Sequence, residues 1–262
     1  MEATRTPSTT NTDAIRVNVT VPVFNEERRL SRNGPRLLTF LRDHCRFDFE
    51  LVIASNASTD ATIEVAQALA ATDERVRVVH LERKGRGRAL KAVWTGSRAG
   101  ILSYMDVDLS TDLAAFPPLV ESLIGGGFDL AAGSRLLKPS LTSRGWKREM
   151  LSRSYNRLVR MLFRTGFSDA QCGFKALTRT AATELIPRVE DDGWFLDTEL
   201  LILAERFGYR IFDLPVRWVD DTDTRVRIWS TAIADVRGLI RLRRSLARHR
   251  DRDRRASTVH AI

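Results

Sequence analysis

The sequence contains few of the features that mark disulfide-rich or membrane-spanning proteins. Among its 262 residues are two cysteines, Cys45 and Cys172, whose spacing fits neither a disulfide framework nor a metal-ligand pattern. No apolar run approaches the ~18 residues of a membrane-spanning helix, and the N-terminus lacks the apolar core of a signal peptide. Residues 1–14, rich in Thr and Ser, are expected to form a disordered leader. These absences favour an intracellular globular protein.

Positive charge is concentrated at one end of the chain. The 42 Lys and Arg residues exceed the 33 Asp and Glu residues, which gives a formal net charge of +9. Residues 237–262 contain nine Arg against Asp251 and Asp253 and therefore carry +7 of this charge, which leaves +2 for the other 236 residues. A nearly neutral body with a basic end is not typical of a nucleic-acid-binding domain, so we expect no nucleic acid among the partners.

Short apolar runs rich in β-branched residues alternate with helical patterns through the first half of the chain. They predict strands at 17–23, 49–54, 76–81, 101–105 and 128–132, with helices at 27–43, 60–71, 86–99 and 113–123. Such alternation is typical of an α/β fold whose mostly parallel sheet carries helices on both faces. Later helices are predicted at 148–163 and 195–207, and a strand at 211–219 contains Pro215, which indicates an edge or a bulge.

Polar side chains follow each of the first four predicted strands. These segments are 25–27 (NEE), 55–60 (SNASTD), 83–88 (RKGRGR) and 106–108 (DVD). Because ligands bind at the carboxyl ends of the strands in such sheets, the four segments are expected to form one rim and to bind a nucleotide.

Asp106 and Asp108 are the strongest candidates for chemistry. They follow a buried strand, and their spacing puts two hard oxygen ligands on one side of its end, where they can bind a divalent ion. That ion would bridge the phosphates of a nucleotide. An isolated Asp-x-Asp can also be a solvated turn or a helix cap, but its place at the end of a buried strand favours the metal.

Lys84 and Gly85 open a glycine-containing basic segment ahead of a predicted helix. Its backbone amides and the helix dipole can cradle a phosphate. The segment is neither a Walker loop nor a complete G-x-G-x-x-G motif. By itself it fits a surface turn slightly better than a ligand site.

The order of these motifs resembles that of family 2 glycosyltransferases with the GT-A fold. The matching segments are 21–27 (VPVFNEE), 58–60 (STD), 85–89 (GRGRA), 106–109 (DVDL), 133–135 (GSR), 169–175 (DAQCGFK) and 194–200 (WFLDTEL). Within the family the sequence looks most like the dolichyl- or polyprenyl-phosphate hexose synthases, which transfer a sugar from a nucleotide to a membrane lipid phosphate with inversion. The resemblance implies a GT-A domain at 15–228 with a Rossmann-like, mixed but mostly parallel sheet. Residues 229–262 would then form a C-terminal amphipathic helix and basic tail.

The resemblance also implies a donor site for a UDP- or GDP-hexose. Mg²⁺ or Mn²⁺ held by Asp106 and Asp108 would bind the donor diphosphate, with Val107 between them. The other implied donor-binding residues are Pro22, Phe24, Glu26, Ala54, Asn56, Lys84, Gly85 and Arg225. The family usually has two acids where this chain has Ser55 and Asn56, so the residues leave the choice between uracil and guanine open.

On the acceptor side, the resemblance implies three residues around a lipid phosphate. Arg135 would reach the donor or the acceptor phosphate and belongs to the implied catalytic set, while Arg148 and Ser152 match an Arg-x-x-x-Ser pair that faces the lipid. Residues 110–112 (STD), after the Asp-x-Asp-Leu motif, are closer to the glucosyl-type pattern of the family than to other members, which favours a glucose donor over mannose.

The chemistry of the acceptor decides whether a base is needed. A lipid monophosphate is ionised near neutral pH and needs positioning more than a general base, whereas a hydroxyl acceptor would need one. Asp197 and Glu199 are the candidates for a base, and since they are ~200° apart on a helix only one can face the site. We interpret Asp197 as an acid that caps its own helix and leave it out of the catalytic set.

Two alternatives from other classes stay open. A sugar nucleotidyltransferase also uses carboxylates at an α/β strand edge, although its glycine-rich opening loop is missing from the first strand end. A non-enzymatic adaptor built on the Arg-rich tail is the second alternative.

The basic tail continues a helical apolar pattern that includes Leu239, Leu242 and Leu246. We expect this amphipathic helix to lie on an anionic membrane surface, where each cation contributes ~1 kcal/mol. A solvated chain end is the alternative. The expected location is cytoplasmic and peripheral, at the inner face of the cell membrane, and a small membrane partner is compatible with it.

Overall fold

The computed structural model of the protein describes residues 16–143, 146–219 and 228–259, of which residues 143, 146–148, 228–232 and 249–259 are described as backbone only. The predicted leader at 1–14 and Arg225 lie outside the described residues, and so does the side chain of Arg148.

Seven strands form the central sheet. In chain order the elements are β1 (Val17–Val23), α1 (Glu27–His44), β2 (Phe49–Asn56), α2 (Thr62–Ala70), β3 (Val76–Leu81), α3 (Arg86–Gly96), β4 (Ile101–Met105), α4 (Phe116–Ile124), β5 (Leu130–Ser134), β6 (Leu141–Ser143), α5 (Trp146–Phe163), β7 (Phe174–Thr178), α6 (Arg179–Leu185), α7 (Leu196–Arg206), β8 (Ile211–Pro215), β9 (Arg217–Val219) and α8 (Ile228–Val259). The strand order in the sheet is β3-β2-β1-β4-β7-β5-β8, and β6 pairs with β9 in a separate two-stranded sheet.

The first four strands follow the sequence pattern closely. The bounds of β1, β3 and β4 coincide with the predicted ones, and every residue of β1 and β4 is buried. Strand β1 is parallel to both β2 and β4, so the carboxyl ends of these strands lie at the same edge of the sheet. Two apolar clusters of buried residues, one on each side of the sheet, form the core. The predicted α/β class and the mixed, mostly parallel sheet are confirmed.

Strand β7 is the antiparallel member that makes the sheet mixed. It lies between β4 and β5 and is antiparallel to both. The sequence did not predict it, because its five residues, FKALT, include a lysine and are too short to show a period. Its position brings the loop before it against the end of β4.

The predicted single strand at 211–219 is wrong. It divides at Val216 into β8 and β9, which belong to different sheets. Pro215 ends β8, the edge strand of the large sheet, where a missing amide costs no ladder hydrogen bond. The proline therefore marks an edge, as expected, and the chain leaves the sheet there.

Helix α8 packs against the body of the protein through part of its apolar pattern. Leu239 and Leu242 are buried in the core, and Leu246 packs against them. A Cβ atom at Gly238 would come within 2.5 Å of the Phe195 ring, so the two segments are in close contact. The prediction that Leu242 and Leu246 face a membrane is therefore wrong. Within the described ranges, no helix combines the length and apolar character needed to cross a bilayer.

Candidate active site

Asp106 and Asp108 follow β4 at the edge where β1 and β2 also end. Both line a small depression, together with Met105, Leu109, Ser110, Thr111, Gly173, Phe174 and Trp218. A Cβ atom at Gly173 would stand 1.8 Å from Asp106 Oδ2, so only glycine leaves room for this carboxylate. The loop before β7 therefore determines where the Asp106 side chain can lie.

The two carboxylates form a site that favours a cation. Burial and the neighbouring Asp106 raise the pKa of Asp108 to about 6, since both disfavour its ionised form. The described part of the chain contains no group of three or more His, Cys, Asp or Glu side chains that could hold a metal ion. Two carboxylates completed by substrate phosphates and water are the usual protein contribution to a Mg²⁺ site, and the same ligands suit Mn²⁺. The residues present therefore fit the predicted metal.

Arg86 connects this site with the start of α7. The residue lies between the two glycines of the basic loop and is buried. Its Nη1 donates to Asp197 Oδ2 over 2.6 Å, and its Nη2 donates to Asp106 Oδ1 over 3.0 Å. The guanidinium carbon lies 4.7 Å from the centroid of the Tyr104 ring and 4.8 Å from that of Trp194. Arg86 thus has its position defined by two carboxylates and two aromatic rings.

The interpretation of Asp197 as a cap of its own helix is wrong. Asp197 is 2% exposed, accepts a hydrogen bond from the Tyr104 hydroxyl and lies 3.3 Å from Lys175 Nζ. Burial alone would raise the pKa of Asp197, but Lys175 and Arg86 lower it below its usual range. Asp197 is therefore an ionised carboxylate held between two buried cations.

Glu199 faces away from Asp197. Its Oε2 accepts from the backbone N–H of Asp191 over 2.9 Å and from Arg241 Nη2 over 2.7 Å. The expectation that only one of the two acids of this helix can face the strand ends is confirmed.

Arg135 follows β5 and is held beside the Asp106 site. Its Nε and Nη2 donate to the two oxygens of Asp169 over 2.7 and 3.0 Å, and its guanidinium lies 4.9 Å from the centroid of the Trp218 ring. Burial alone would raise the pKa of Asp169, but Arg135 lowers it to about 2. Since Trp218 also lines the depression around Asp106, the structure brings Arg135 close to the carboxylates that are predicted to bind the metal.

Asn56 connects the ends of β1 and β2 with the glycine-containing loop. Its Nδ2 donates to the Val23 carbonyl over 2.7 Å, and its Oδ1 accepts from the Gly85 N–H over 3.2 Å. Pro22 and Ala54 face each other across the two strands. Four of the predicted donor-binding residues thus meet at one corner of the sheet.

Phe24, Glu26 and Lys84 lie on the outer side of this corner and have partners within the protein. Lys84 Nζ stands 3.6 Å from the centroid of the Phe24 ring, a cation–π contact. The Glu26 carboxylate accepts from Arg29 Nη1 over 3.0 and 3.1 Å. A nucleotide bound here would share or replace these contacts.

The N-terminus of α3 is covered by the loop that precedes α7. The Arg88 N–H donates to the Asp192 carbonyl over 3.1 Å, and the Asp192 carboxylate pairs with Arg88 and with Lys91. A Cβ atom at Gly85 would lie 2.6 Å from the Asp192 carbonyl oxygen. The close approach of this loop explains the glycine, and it uses one of the helix amides that the sequence offered to a phosphate.

Ser152 lies on α5, in a turn that is linked to Arg135 through the protein. Asn156 Nδ2 donates to the Ser152 carbonyl over 2.9 Å, and Asn156 Oδ1 accepts from the Ala170 N–H over 2.8 Å. Ala170 follows Asp169, the partner of Arg135. Asn156 therefore connects the Ser152 backbone to the segment that holds the predicted catalytic arginine.

Sequence reasoning missed four side chains of this site. They are Arg86, Asp169, Lys175 and Asp197, all of them buried and charged. The signal for Arg86 was its place between two glycines. Asp169 and Lys175 lie inside a motif segment without a role assigned to them, and Asp197 was interpreted as a helix cap. A buried charge needs a partner, and the partners become visible only when the chain is folded.

A mixed seven-strand sheet with an Asp-x-Asp pair at the end of a central strand defines the protein as a GT-A glycosyltransferase. Residues 18–186 match the family described as Glycosyl transferase family 2, and the chain belongs to this family. The resemblance found in the motifs is therefore confirmed.

The chain is similar in sequence to proteins of Haloferax volcanii, Mus musculus and Homo sapiens. The chain is 38% identical over 237 residues to glycosyltransferase AglD of Haloferax volcanii, an alignment that covers 90% of this chain and 37% of that protein. It is 32% and 31% identical to the dolichyl-phosphate beta-glucosyltransferases of Mus musculus and Homo sapiens, over 86% of this chain and 74% of each relative. The chain thus spans well under half of AglD and about three quarters of the animal proteins.

Solved structures show the same fold. Glucosyl-3-phosphoglycerate synthase of Mycobacterium tuberculosis in complex with UDP superposes with a TM-score of 0.65 at 24% identity, over 88% of this chain and 79% of that one. A complex of the same protein with Mn²⁺, UDP and phosphoglyceric acid gives a TM-score of 0.65 at 21% identity, over 87% and 76%. At these identities the likeness concerns the architecture of the sheet and its helices.

Proposed function

We propose that the protein transfers glucose, with inversion, from a nucleotide sugar to a polyprenyl phosphate of the dolichyl phosphate type. Relatives at 31–32% identity are named dolichyl-phosphate beta-glucosyltransferases, which supports both the sugar and the acceptor. Structural neighbours in complex with UDP and Mn²⁺ support UDP-glucose, rather than a GDP-hexose such as GDP-mannose, as the first donor to test.

The observation that carries the proposal is that both acids at the start of α7 have cationic partners, and that the two partners of Asp197 are buried. Asp197 pairs with Arg86 and Lys175, and Glu199 pairs with Arg241. The lowered pKa of Asp197 makes it a weak base, and Glu199 faces away from the strand ends. An acceptor that is already ionised needs no base, so a phosphate suits this site better than the alternative hydroxyl acceptor.

On the donor side, Asp106 and Asp108 would hold Mg²⁺ or Mn²⁺, and the ion would supply positive charge to neutralise the departing nucleoside diphosphate. Arg86 keeps the Asp106 carboxylate in place, and Asp169 keeps the Arg135 guanidinium beside it. We assign Arg135 to a phosphate oxygen, because a guanidinium that is fixed in advance binds phosphate at little entropic cost. Pro22, Phe24, Glu26, Ala54 and Asn56 would surround the base and ribose.

On the acceptor side, we assign Arg148 and Ser152 to the lipid phosphate, and Arg225 to the donor diphosphate. A phosphate oxygen held there would attack the anomeric carbon in line with the leaving diphosphate, and a single displacement of this kind inverts the configuration. The proposal includes a peripheral location at the cytoplasmic face of the cell membrane, with or without a small membrane partner.

The test is a transfer assay with purified protein, Mn²⁺ and detergent-solubilised polyprenyl phosphate. We expect radiolabelled glucose to move from UDP-glucose to the lipid and Asp108→Ala to abolish the transfer while the protein stays folded. GDP-mannose in place of UDP-glucose tests the donor. Unchanged turnover in the variant would contradict the metal site, and pyrophosphate release from UTP and glucose 1-phosphate would instead support a nucleotidyltransferase.

A further inference from the structure

Helix α5 presents a narrow buried side to the protein. Asn156, Val159 and Phe163 are its buried residues in the described part of the helix, and at ~100° per residue they lie within about 60° of one another. Asn156 holds the loop after Asp169, as described above. Most of the remaining circumference of the helix is exposed.

Four large apolar side chains occupy one part of the exposed circumference. Met150, Leu151, Leu158 and Met161 are 58, 45, 37 and 73% exposed. On a helical wheel they lie within about 100° of one another, with the exposed Ser154 among them, and form one largely apolar strip. A strip of this kind on a soluble surface is costly, so it indicates a surface that is covered during function.

Arginines occupy the neighbouring part of the circumference. Arg153, Arg157 and Arg160 lie within about 60° of one another and, with Leu136 from the loop after β5, line one open groove. Arg153 pairs with Glu149 over 2.5 Å. The described part of the chain gives neither Arg157 nor Arg160 a carboxylate partner, and both are exposed.

We propose that the outer surface of α5, defined by Met150, Leu151, Leu158, Met161, Arg153, Arg157 and Arg160, docks onto the anionic headgroups of a lipid bilayer. A helix that lies in a membrane interface needs an apolar strip to enter the headgroup layer and cations beside it to meet lipid phosphates. A nucleic acid would use the arginines but would leave the four apolar side chains in water. This inference rests on the proposed function, because a lipid-bound acceptor has to reach the site from a membrane.

Helix α8 has exposed apolar and basic side chains of its own, next to the side that packs on the core. Leu239 and Leu242 face the core, and Arg241 pairs with Glu190 and Glu199. Among the α8 side chains that the structure describes, the exposed large apolar ones are Ile233, Val236 and Ile240, which lie beside the exposed Arg237 and Arg244. These residues resemble those of α5 in chemistry and exposure, and they provide a matched control.

The experiment is co-sedimentation of the full chain with sucrose-loaded vesicles. One set of vesicles is pure phosphatidylcholine, and the other contains about 30% phosphatidylglycerol, an anionic lipid that attracts basic segments. The α5 variants are Arg157→Gln with Arg160→Gln, and Met150→Gln with Met161→Gln. The α8 controls are Arg237→Gln with Arg244→Gln, and Ile233→Gln with Ile240→Gln. Because these side chains are exposed, we expect every variant to fold, and thermal unfolding checks this.

We expect the unmodified chain to bind the anionic vesicles more tightly than the neutral ones. Each arginine at the surface is worth about a fivefold change in the partition coefficient, so the α5 arginine pair should weaken binding about 25-fold and the α8 pair much less. The α5 methionine pair should also weaken it. Equal losses in the α5 and α8 variants, unchanged binding in the α5 variants, or no binding of the unmodified chain would each overturn the proposal.

The transfer assay in detergent separates this inference from the proposed function. Vesicle binding that depends on α5 in a protein without glucosyl transfer would leave the docking surface standing and overturn the proposed reaction. Transfer in detergent by a protein that does not bind vesicles through α5 would overturn the docking surface alone.

Discussion

Arg86 donates a hydrogen bond to Asp197 over 2.6 Å, although 111 positions separate the two residues in the sequence. Their side chains are 8% and 3% exposed, and the same guanidinium holds Asp106, one of the two proposed metal ligands. The position of Asp106 therefore depends on the start of α7 as well as on its own strand.

Replacing Arg86 should show how much of the fold depends on this connection. Arg86→Gln leaves the buried Asp197 and the partly buried Asp106 without their shared cation, so we expect the free energy of unfolding to fall by about 3–5 kcal/mol. Arg86→Lys should lower the free energy of unfolding by a smaller amount. It should not keep both contacts, because an ammonium cannot replace a forked guanidinium. Urea unfolding measures both. Arg88→Gln is the control, since the Arg88–Asp192 pair is more exposed and should cost at most about 1 kcal/mol.

Gly173→Ala should move Asp106. A Cβ atom at this position would stand 1.8 Å from Asp106 Oδ2, and neither the backbone nor the carboxylate can avoid it without a shift. We expect Mn²⁺ binding, followed by electron paramagnetic resonance, to weaken and transfer to fall about 100-fold or more. Gly96→Ala is the matched control, because a Cβ atom there meets nothing within 4 Å. Equal behaviour of the two variants would contradict the contact.

Asp108→Asn should separate stability from activity. The folded protein raises the pKa of Asp108 from 3.8 to about 6, so the ionised carboxylate costs stability near pH 7 when no cation is bound. The variant should therefore be more stable by about 1–3 kcal/mol in chelator and should lose the transfer reaction. Urea unfolding in EDTA measures the first effect, and a variant less stable than the parent would argue against a carboxylate site that requires a cation.

The raised pKa of Asp235 leads to a prediction of how the stability of the protein depends on pH. Burial and the charges of Asp191 and Asp197 raise its pKa from 3.8 to about 7, while Gln171 lowers it through a 2.6 Å hydrogen bond. The folded state thus holds this proton more tightly than the unfolded state. Protonated Asp235 contributes to the free energy of unfolding below about pH 4, by at most about 4 kcal/mol. This contribution is lost as pH rises to about 7.

Asp235→Asn should remove that part of the pH dependence. An asparagine can still accept the hydrogen bond from Gln171 but does not titrate. The difference in unfolding free energy between variant and parent should therefore increase from pH 5 to pH 8, in favour of the variant. A constant difference over this range would show that Asp235 is ionised at all these pH values.

Leu242→Ala and Ile240→Ala test how α8 packs. Leu242 is 3% exposed and Ile240 is 47% exposed, although they are only two positions apart on one helix. We expect Leu242→Ala to lower the free energy of unfolding by about 2–5 kcal/mol and Ile240→Ala to change it by at most about 0.5 kcal/mol. Similar small effects from both would mean that the helix leaves the body in solution.

Much of the sheet could be predicted because its first strands are short apolar runs with little ambiguity. The bounds of β1, β3 and β4 were correct to the residue, and the polar segments after them meet where parallel strands end. Strand β7 could not be predicted, since its apolar residues surround Lys175, a residue type that is rarely buried without a partner. That partner, Asp197, comes from a helix 22 positions further on.

By itself the sequence determined the family and the fold class and predicted the carboxylates Asp106 and Asp108 as metal ligands, because these depend on local patterns and on the order of motifs along the chain. Only the tertiary structure decided which charges are buried together and which apolar residues stay exposed. Asp197 reads as a helix cap in sequence and is a partner of Arg86 in the fold, while Leu242 reads as part of a membrane-facing strip and belongs to the core. The physical reason is that burial and charge pairing join residues that are distant in the chain, and a local pattern contains no information about the other partner.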